Sequence, residues 1–296
     1  MKRLAFTFTL LLLAASGALL TGCKSGGIEN DPVLRLSSQE ALDQGKTLMA
    51  AEKYHRSRRY LSHAFEVEPN SRSGREGLLL LADSYYLAGN DANWIQAEAK
   101  YRDFLNRFPT SDQAAYAQYQ IANSLARRVG RANRDQSATL KALQAFQELK
   151  RLYPTSDYAV EADEQVDELR NKLGDAEFVV GDFYLRYRYP AAAVTRFEAL
   201  LAGYPEYHET DKVLFHLGLA YHRSRQPQHV GKAAEVFGRL KSDFPDSEFV
   251  DEIPPEALEP PPAPPAEPTD AMAADGDGDG DEESSDETAD SEGASR

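Results

Sequence analysis

Residues 178–205 read FVVGDFYLRYRYPAAAVTRFEALLAGYP, and this stretch decides the fold because it contains every landmark of one helix pair. Val180-Gly181-x-x-Tyr184 belongs to a first helix, and Ala193 stands one turn before Phe197 on a second helix. Residues four apart share a helix face, so a small residue lies beside a large one and two helices can approach closely. Pro205 follows Phe197 by eight residues, and proline cannot continue a helix. The stretch therefore predicts two closely packed helices that end before Pro205.

The same pattern recurs along the chain, which identifies an internal repeat. Five prolines, 40, 45, 51 and 40 residues apart, each follow an apolar or aromatic segment and precede turn-forming residues: Pro69, Pro109, Pro154, Pro205 and Pro245. Twelve and eight residues before the last four prolines lie an alanine and an aromatic residue: Ala97 and Tyr101, Ala142 and Phe146, Ala193 and Phe197, Ala233 and Phe237. First-helix motifs precede them at Leu81-Ala82-x-x-Tyr85, Ile121-Ala122-x-x-Leu125 and Leu217-Gly218-x-x-Tyr221.

These motifs resemble the tetratricopeptide repeat, a pair of helices that stacks on its neighbours into a solenoid. The resemblance implies an all-α fold of about five helix pairs over residues 37–250, without a sheet. The first repeat is degenerate, because Leu48, Ala51, Tyr54 and Ala64-Phe65 are only loosely in register. Tyr85, Tyr184 and Tyr221 occupy packing positions and are expected in the core.

Residues 1–22 have the layout of a cleaved secretory signal, with basic Lys2-Arg3 before an apolar segment at 4–20. Leu20-Thr21-Gly22-Cys23 resembles a bacterial lipobox. That resemblance implies cleavage before Cys23, a diacylglycerol thioether on its sulfur and an acyl chain such as palmitate on its amino group. Lys24 behind the cysteine is typical of lipoproteins that travel to the outer membrane. Residues 23–36 are then a lipidated tether facing the periplasm; the alternative is an ordinary signal peptide with an incidental cysteine.

The net charge of -15 comes from the C-terminal end of the chain. From Asp246 onward there are 18 acidic residues against one arginine, whereas the preceding residues carry 30 acidic and 32 basic side chains. Residues 251–296 are proline-rich, then Gly-, Asp-, Glu- and Ser-rich, so they bury too little apolar surface to offset chain entropy. We expect a disordered tail there. The run Asp275-Gly276-Asp277-Gly278-Asp279-Gly280 lacks the glutamate and flanking helices of a calcium loop, and we interpret it as a solvated linker.

No catalytic chemistry accompanies these features, so the chain is predicted not to be an enzyme. The six histidines form no H-E-x-x-H pair, the lone cysteine is the lipid-attachment candidate, and neither a G-x-S-x-G elbow nor a phosphate-binding loop occurs. We therefore predict no metal site and no cofactor. Basic runs at 56–59 and 127–134 favour solvated helix faces, or protein and lipid-headgroup contacts, over nucleic acid.

Binding is the remaining function, because the first helices of stacked pairs line a concave groove that suits extended peptides. Counting from the first-helix motifs places eight residues in that groove: Leu79, Asp83, Tyr86 and Leu87 from the second repeat, and Tyr116, Tyr119, Asn123 and Arg127 from the third. Aromatic residues beside amide and charged groups suit a peptide with an aromatic end, such as a barrel strand. The alternative is that these side chains only shield the groove from water.

Three further stretches carry a narrower resemblance: Arg134-Asp135-Gln136-Ser137 before 142–146, Tyr153-Pro154-Thr155-Ser156-Asp157-Tyr158-Ala159, and a long charged helix through 169–173 into Phe183-Tyr184. With the lipobox and the repeats, they resemble the BamD family of the β-barrel assembly machinery over about 37–250. The resemblance implies a scaffold that binds the periplasmic domains of the barrel-forming outer-membrane subunit and recruits unfolded outer-membrane proteins. Two alternatives stay open: a generic periplasmic tetratricopeptide scaffold for envelope division or polysaccharide export, and an accessory of an envelope enzyme or a catalytic lipoprotein.

Overall fold

The computed structural model describes residues 31–258 except residue 225. In this part of the chain ten α-helices follow one another and no strand occurs, which confirms the all-α prediction. The helices are α1 Ser38–Ala50, α2 Tyr54–Val67, α3 Arg72–Ala88, α4 Asp91–Arg107, α5 Ala114–Ala126, α6 Ser137–Leu152, α7 Asp157–Arg186, α8 Pro190–Gly203, α9 Thr210–Arg223 and α10 Lys232–Asp243. The predicted signal peptide at 1–22, Cys23, the part of the predicted tether up to residue 30, and the part of the predicted tail from 259 lie outside the described residues.

The second helix of every pair ends two residues before a repeat proline, at Val67, Arg107, Leu152, Gly203 and Asp243. Serines after two of these prolines then cap the next helix. The side chain of Ser71 accepts the backbone N–H of Gly74 at 2.9 Å, and that of Ser156 accepts the N–H of Tyr158 at 3.3 Å. The repeat prolines therefore divide the chain into pairs as the sequence predicts. None of the described helices is long and apolar enough to cross a membrane.

The residue eight positions before each repeat proline is the centre of packing in its pair. All five such side chains are fully buried: Leu61, Tyr101, Phe146, Phe197 and Phe237. Three of them lie against a glycine of the preceding helix: Leu61 against Gly45, Phe197 against Gly181, and Phe237 against Gly218. A β-carbon added to these glycines would stand 2.4, 2.5 and 2.5 Å, respectively, from the facing side chain. Tyr221 is buried, and Tyr85 and Tyr184 are half-buried against the core.

This geometry corrects the register of the first repeat. Gly45 and Leu61 form its central contact, and fully buried Ser57 takes the small-residue position twelve before Pro69. The residues that the sequence puts only loosely in register, Leu48, Ala51, Tyr54 and Ala64-Phe65, are therefore not the central packing positions of this repeat, although Ala64 is fully buried. Leu61 replaces the usual aromatic residue and Ser57 replaces the usual alanine. The first repeat therefore keeps the spacing of eight and twelve residues before its proline, although its residue types differ from those of the other repeats.

Helix α7 connects two core clusters because its 30 residues extend over about 45 Å. Its first half contributes Ala162, Val166 and Leu169 to the core of the second and third pairs. Its second half contributes Phe178 and Leu185 to the core of the last two pairs. A separate small core lies between α1, α2 and α3. The long charged helix that the sequence predicts through 169–173 into Phe183-Tyr184 is thus one continuous element.

The start of the predicted tail differs from expectation. Ile253 and Ala257 are 8% and 3% exposed and join the core of the last two pairs, and Pro255–Ala257 forms a 3-10 turn. Our boundary at residue 251 was therefore too early, because these apolar side chains find a hydrophobic surface that composition alone does not reveal. The packed region continues to Leu258, which lies against the same core.

Candidate peptide groove

Seven predicted groove residues line two cavities beside the first helices of the second, third and fourth pairs. The first, which we call the α3–α5–α7 cavity, has a volume of about 450 Å³. It contains four of the predicted residues and adds a wall from α7. Its lining is Tyr86, Tyr119, Asn123, Ala126, Arg127, Gln165, Glu168, Leu169 and Lys172.

The second cavity lies beside α3, α4 and the loop that precedes α5, and we call it the α3–α4 cavity. Its volume is about 720 Å³. It contains the other three predicted residues, Leu79, Asp83 and Tyr116, of which Leu79 is only 8% exposed. Its remaining lining is Arg72, Arg75, Glu76, Leu80, Phe104, Thr110, Ser111, Asp112 and Gln113. Leu87 is 53% exposed and lines neither cavity.

Asp83 is held by two tyrosines. The hydroxyls of Tyr101 and Tyr116 donate to its Oδ1 at 2.6 and 2.9 Å. Burial raises the pKa of Asp83, and the two tyrosine hydrogen bonds oppose that rise because they favour the carboxylate. Burial, with the adjacent carboxylate, also raises the pKa of both tyrosines, so their hydroxyls stay protonated donors at neutral pH. Tyr116 therefore supports the fold as well as lining a cavity.

Tyr119 is stacked on Tyr158 of α7, which itself lines neither cavity. Its ring lies 5.1 Å from the ring of Tyr158, with 27° between the planes, and meets Phe146 edge-on at 6.0 Å. Tyr116 also contacts Tyr158, at 5.7 Å between ring centroids. Such aromatic contacts hold the rings rigidly, which lowers the entropy lost when a ligand binds. Tyr158 is the second residue of α7 and follows the capping Ser156 by two positions. This place at the start of a first helix is the feature of the sequence that could have indicated its position beside Tyr119.

Charged groups of both signs face the α3–α5–α7 cavity. The Nε of Arg127 donates to the hydroxyl of Tyr86 at 3.3 Å, and this hydrogen bond raises the pKa of Arg127. Along α7, Lys172 pairs with Glu168 at 2.8 Å. The sequence-based prediction of the groove also omitted Gln165, Glu168 and Lys172. Their spacing of three and four residues nevertheless places them on one face of α7, which is the first helix of its pair. The cavity thus combines aromatic surface with donors and acceptors suited to a peptide backbone.

One further cluster of polar side chains lies away from both cavities. Asp175, His208 and Glu209 bring three potential metal ligands together, and none of them lines either cavity. Within the described residues they are the group whose ligand atoms approach closely enough to share an ion.

Comparisons with known proteins agree with this architecture. Residues 35–225 match the sequence profile of the YfiO outer membrane lipoprotein family, and residues 212–247 match a tetratricopeptide repeat profile. The outer membrane protein assembly factor BamD of Caulobacter vibrioides is 30% identical over 74% of this chain and 70% of its own length. The protein of the same name from Rickettsia prowazekii is 27% identical over 82% of this chain and 94% of its own.

Among solved structures, the TPR2AB domain of yeast Sti1 in its complex with pHSP90 is similar to this chain, and the match covers 72% of this chain and 80% of the Sti1 chain. Its TM-score of 0.40 at 12% identity is too low to bear on function. The family profile spans most of the helical repeats described above, from the turn before α1 to the end of α9. The chain therefore belongs to the YfiO family of outer membrane lipoproteins.

Proposed function

We propose that this chain is a non-catalytic scaffold for the assembly and insertion of outer-membrane β-barrel proteins. The observation that carries the proposal is the similarity along 94% of the Rickettsia prowazekii relative, which is named as an outer membrane protein assembly factor. Five stacked helix pairs, with cavities beside first helices of the second to fourth pairs, supply a surface for binding.

The proposal includes a lipid anchor at Cys23 that holds the protein at the outer membrane, facing the periplasm. The lipobox and Lys24 support it. Two or three acyl chains anchor a protein stably, since each buried methylene contributes about 0.8 kcal/mol. Changing Cys23 to Ser is expected to abolish labelling by a radioactive fatty acid and to release the protein or leave an uncleaved precursor. Undiminished labelling of that variant would contradict the anchor.

Unfolded barrel strands are assigned to the groove of the first three repeats. The second and third repeats line two cavities, one of them together with α7, and these cavities join fixed aromatic rings to Arg127, Arg72 and Arg75, which can bind backbone carbonyls or a carboxylate. An extended strand alternates its side chains, so one face can enter the aromatic surface while the backbone meets the polar groups. The proposed ligand is therefore an extended peptide with aromatic residues near its end.

The barrel-forming subunit is assigned to the last two pairs, where α7 carries an uncovered apolar face. Val180, Phe183 and Tyr187 form a stripe at helical spacing, with Phe183 51% and Tyr187 63% exposed. The core-facing Phe178 and Leu185 lie on the opposite side of the helix from this stripe, about 180° away. Exposed aromatic residues clustered on one face are typical of protein interfaces, and the rings of Phe183 and Tyr187 already contact each other at 4.4 Å.

Co-purification from detergent-solubilised outer membranes tests the assignment. Wild-type chain is expected to retain the barrel-forming subunit, and the double variant Phe183→Ser, Tyr187→Ser is expected to lose roughly tenfold or more of it, since central aromatic contacts dominate interface energies. Val160→Ser is the matched control, because Val160 is 72% exposed on the same helix but lies in its first half. If wild type recovers no assembly component, the generic envelope scaffold becomes the better interpretation.

A further inference from the structure

We propose that Asp175, His208 and Glu209 bind a divalent transition-metal cation of the zinc type. One ring nitrogen and two carboxylates provide three ligands whose atoms lie within 4.8 Å of one another. Zinc with three protein ligands leaves its fourth position to water. The imidazole favours zinc and related ions over calcium or magnesium, which take oxygen ligands.

The chain holds two of these ligands in a short loop that is fixed on α7. Between α8 and α9, the ring of buried Tyr207 packs on Gly174, where an added β-carbon would lie 2.5 Å from the ring. The Oδ1 of Asn171 accepts the backbone N–H of His208 at 3.0 Å. Because both contacts anchor the loop to α7, His208 and Glu209 stay beside Asp175 although they are distant in sequence.

Tyr207 also orients the carboxylates. Its hydroxyl donates to Oδ1 of Asp175 at 2.6 Å and lies 3.4 Å from Oε2 of Glu209. Each carboxylate keeps a second oxygen for a cation, and hydrogen bonds of this kind fix ligands in metal sites. Tetrahedral zinc needs ligand atoms about 3.4 Å apart. The exposed side chain of His208 can rotate to close the remaining distance.

Lys212 competes with a metal for the same carboxylate. Its ammonium group lies 2.8 Å from Oε2 of Glu209, so a cation must displace it or use the other oxygen. We therefore expect that removal of the lysine charge strengthens metal binding, whereas removal of the imidazole weakens it. A bound ion would clamp the loop before α9 to α7 and so join the last two helix pairs.

Calorimetric titration of the full-length, EDTA-treated chain with zinc chloride tests the site. We expect one saturable site that loses at least tenfold in affinity in His208→Ala and gains several-fold in Lys212→Gln. His222→Ala is the control, because His222 is exposed on α9 and outside the cluster. Weak binding by carboxylates of the acidic C-terminal segment would be the same in all variants and cancels in the comparison.

Cobalt(II) gives an independent measurement, because coordination by a nitrogen and oxygens changes its visible d–d absorption. The change is expected in wild type and His222→Ala and is expected to vanish in His208→Ala. Equal zinc affinity in wild type and His208→Ala, or the lack of any saturable site in wild type, would overturn the proposal. Neither result depends on the proposed assembly function, which the co-purification experiment tests separately.

Discussion

The ring of Phe197 lies so close to Gly181 that a β-carbon on this glycine would stand 2.5 Å from Cε1 of the ring. Gly218 and Phe237 repeat the relationship in the last pair, and Gly45 and Leu61 repeat it in the first. A glycine in a helix costs about 1 kcal/mol relative to alanine. The close approach of the two helices explains why glycine occupies these positions.

Gly181→Ala is expected to destabilise the protein by about 1–3 kcal/mol, because the methyl group overpacks the contact with Phe197. Gly238→Ala is the matched control on α10, where a β-carbon meets nothing within 4 Å. That change is expected to stabilise by up to about 1 kcal/mol through helix propensity. Urea denaturation measures both, and shifts of the same sign would contradict the packing assignment.

Tyr116→Phe removes one of the two hydroxyls that donate to the buried carboxylate of Asp83. We expect a loss of roughly 1–3 kcal/mol in the free energy of unfolding, since a buried charged acceptor loses a partner. Tyr189→Phe serves as control, because Tyr189 is 63% exposed and the change should stay within about 0.5 kcal/mol. Equal stability of the two variants would show that Tyr101 alone satisfies Asp83.

Peptide binding is best tested with Tyr119→Ala and Arg127→Ala, because the hydroxyl of Tyr116 also donates to Asp83 and so supports the fold. A fluorescent peptide copied from the last strand of an outer-membrane barrel is expected to bind each variant roughly tenfold more weakly than wild type. The barrel-forming subunit should co-purify with both variants as with wild type. Arg239→Ala, which removes a 55% exposed arginine on α10, is the control. An equal loss in that control would indicate non-specific charge attraction.

Two truncations locate the end of the folded region. A chain that ends at Leu258 is expected to unfold at the same temperature as the full chain, because the residues removed are too polar to contribute a core. A chain that ends at Glu252 lacks the buried Ile253 and Ala257 and is expected to lose about 2–4 kcal/mol. If both chains match the full-length protein, the contacts of Ile253 contribute nothing.

His216 is expected to make stability depend on pH. Burial lowers its pKa below 6.5, and the hydrogen bond from Nδ1 to the Lys212 carbonyl at 2.9 Å only partly offsets this effect. As pH falls below about 6.5, the unfolded chain takes up a proton that the folded chain resists, so stability decreases. Thermal midpoints between pH 7.5 and 5.5 should therefore vary less in His216→Gln than in wild type. His222→Gln, at an exposed site, should retain the wild-type pH dependence.

Local patterns predicted most of the fold. The helix ends before Pro109 and Pro154, the buried Tyr101 and Phe146, and the continuous α7 all follow from helical periodicity and from the inability of proline to continue a helix. These effects act over a few residues and can therefore be read in sequence order.

Tertiary structure decided the features that depend on which surfaces meet. It placed Leu61 against Gly45 in the first repeat, where residue types had obscured the spacing, and it buried Ile253 on the last pair. It also divided the groove residues between two cavities, stacked Tyr158 on Tyr119, and brought His208 beside Asp175. The physical reason is that packing and side-chain clustering join residues 16 to about 40 positions apart, over distances set by how helices dock. A periodic pattern specifies which face of a helix is apolar, but the helix that covers that face determines what the remaining side chains touch.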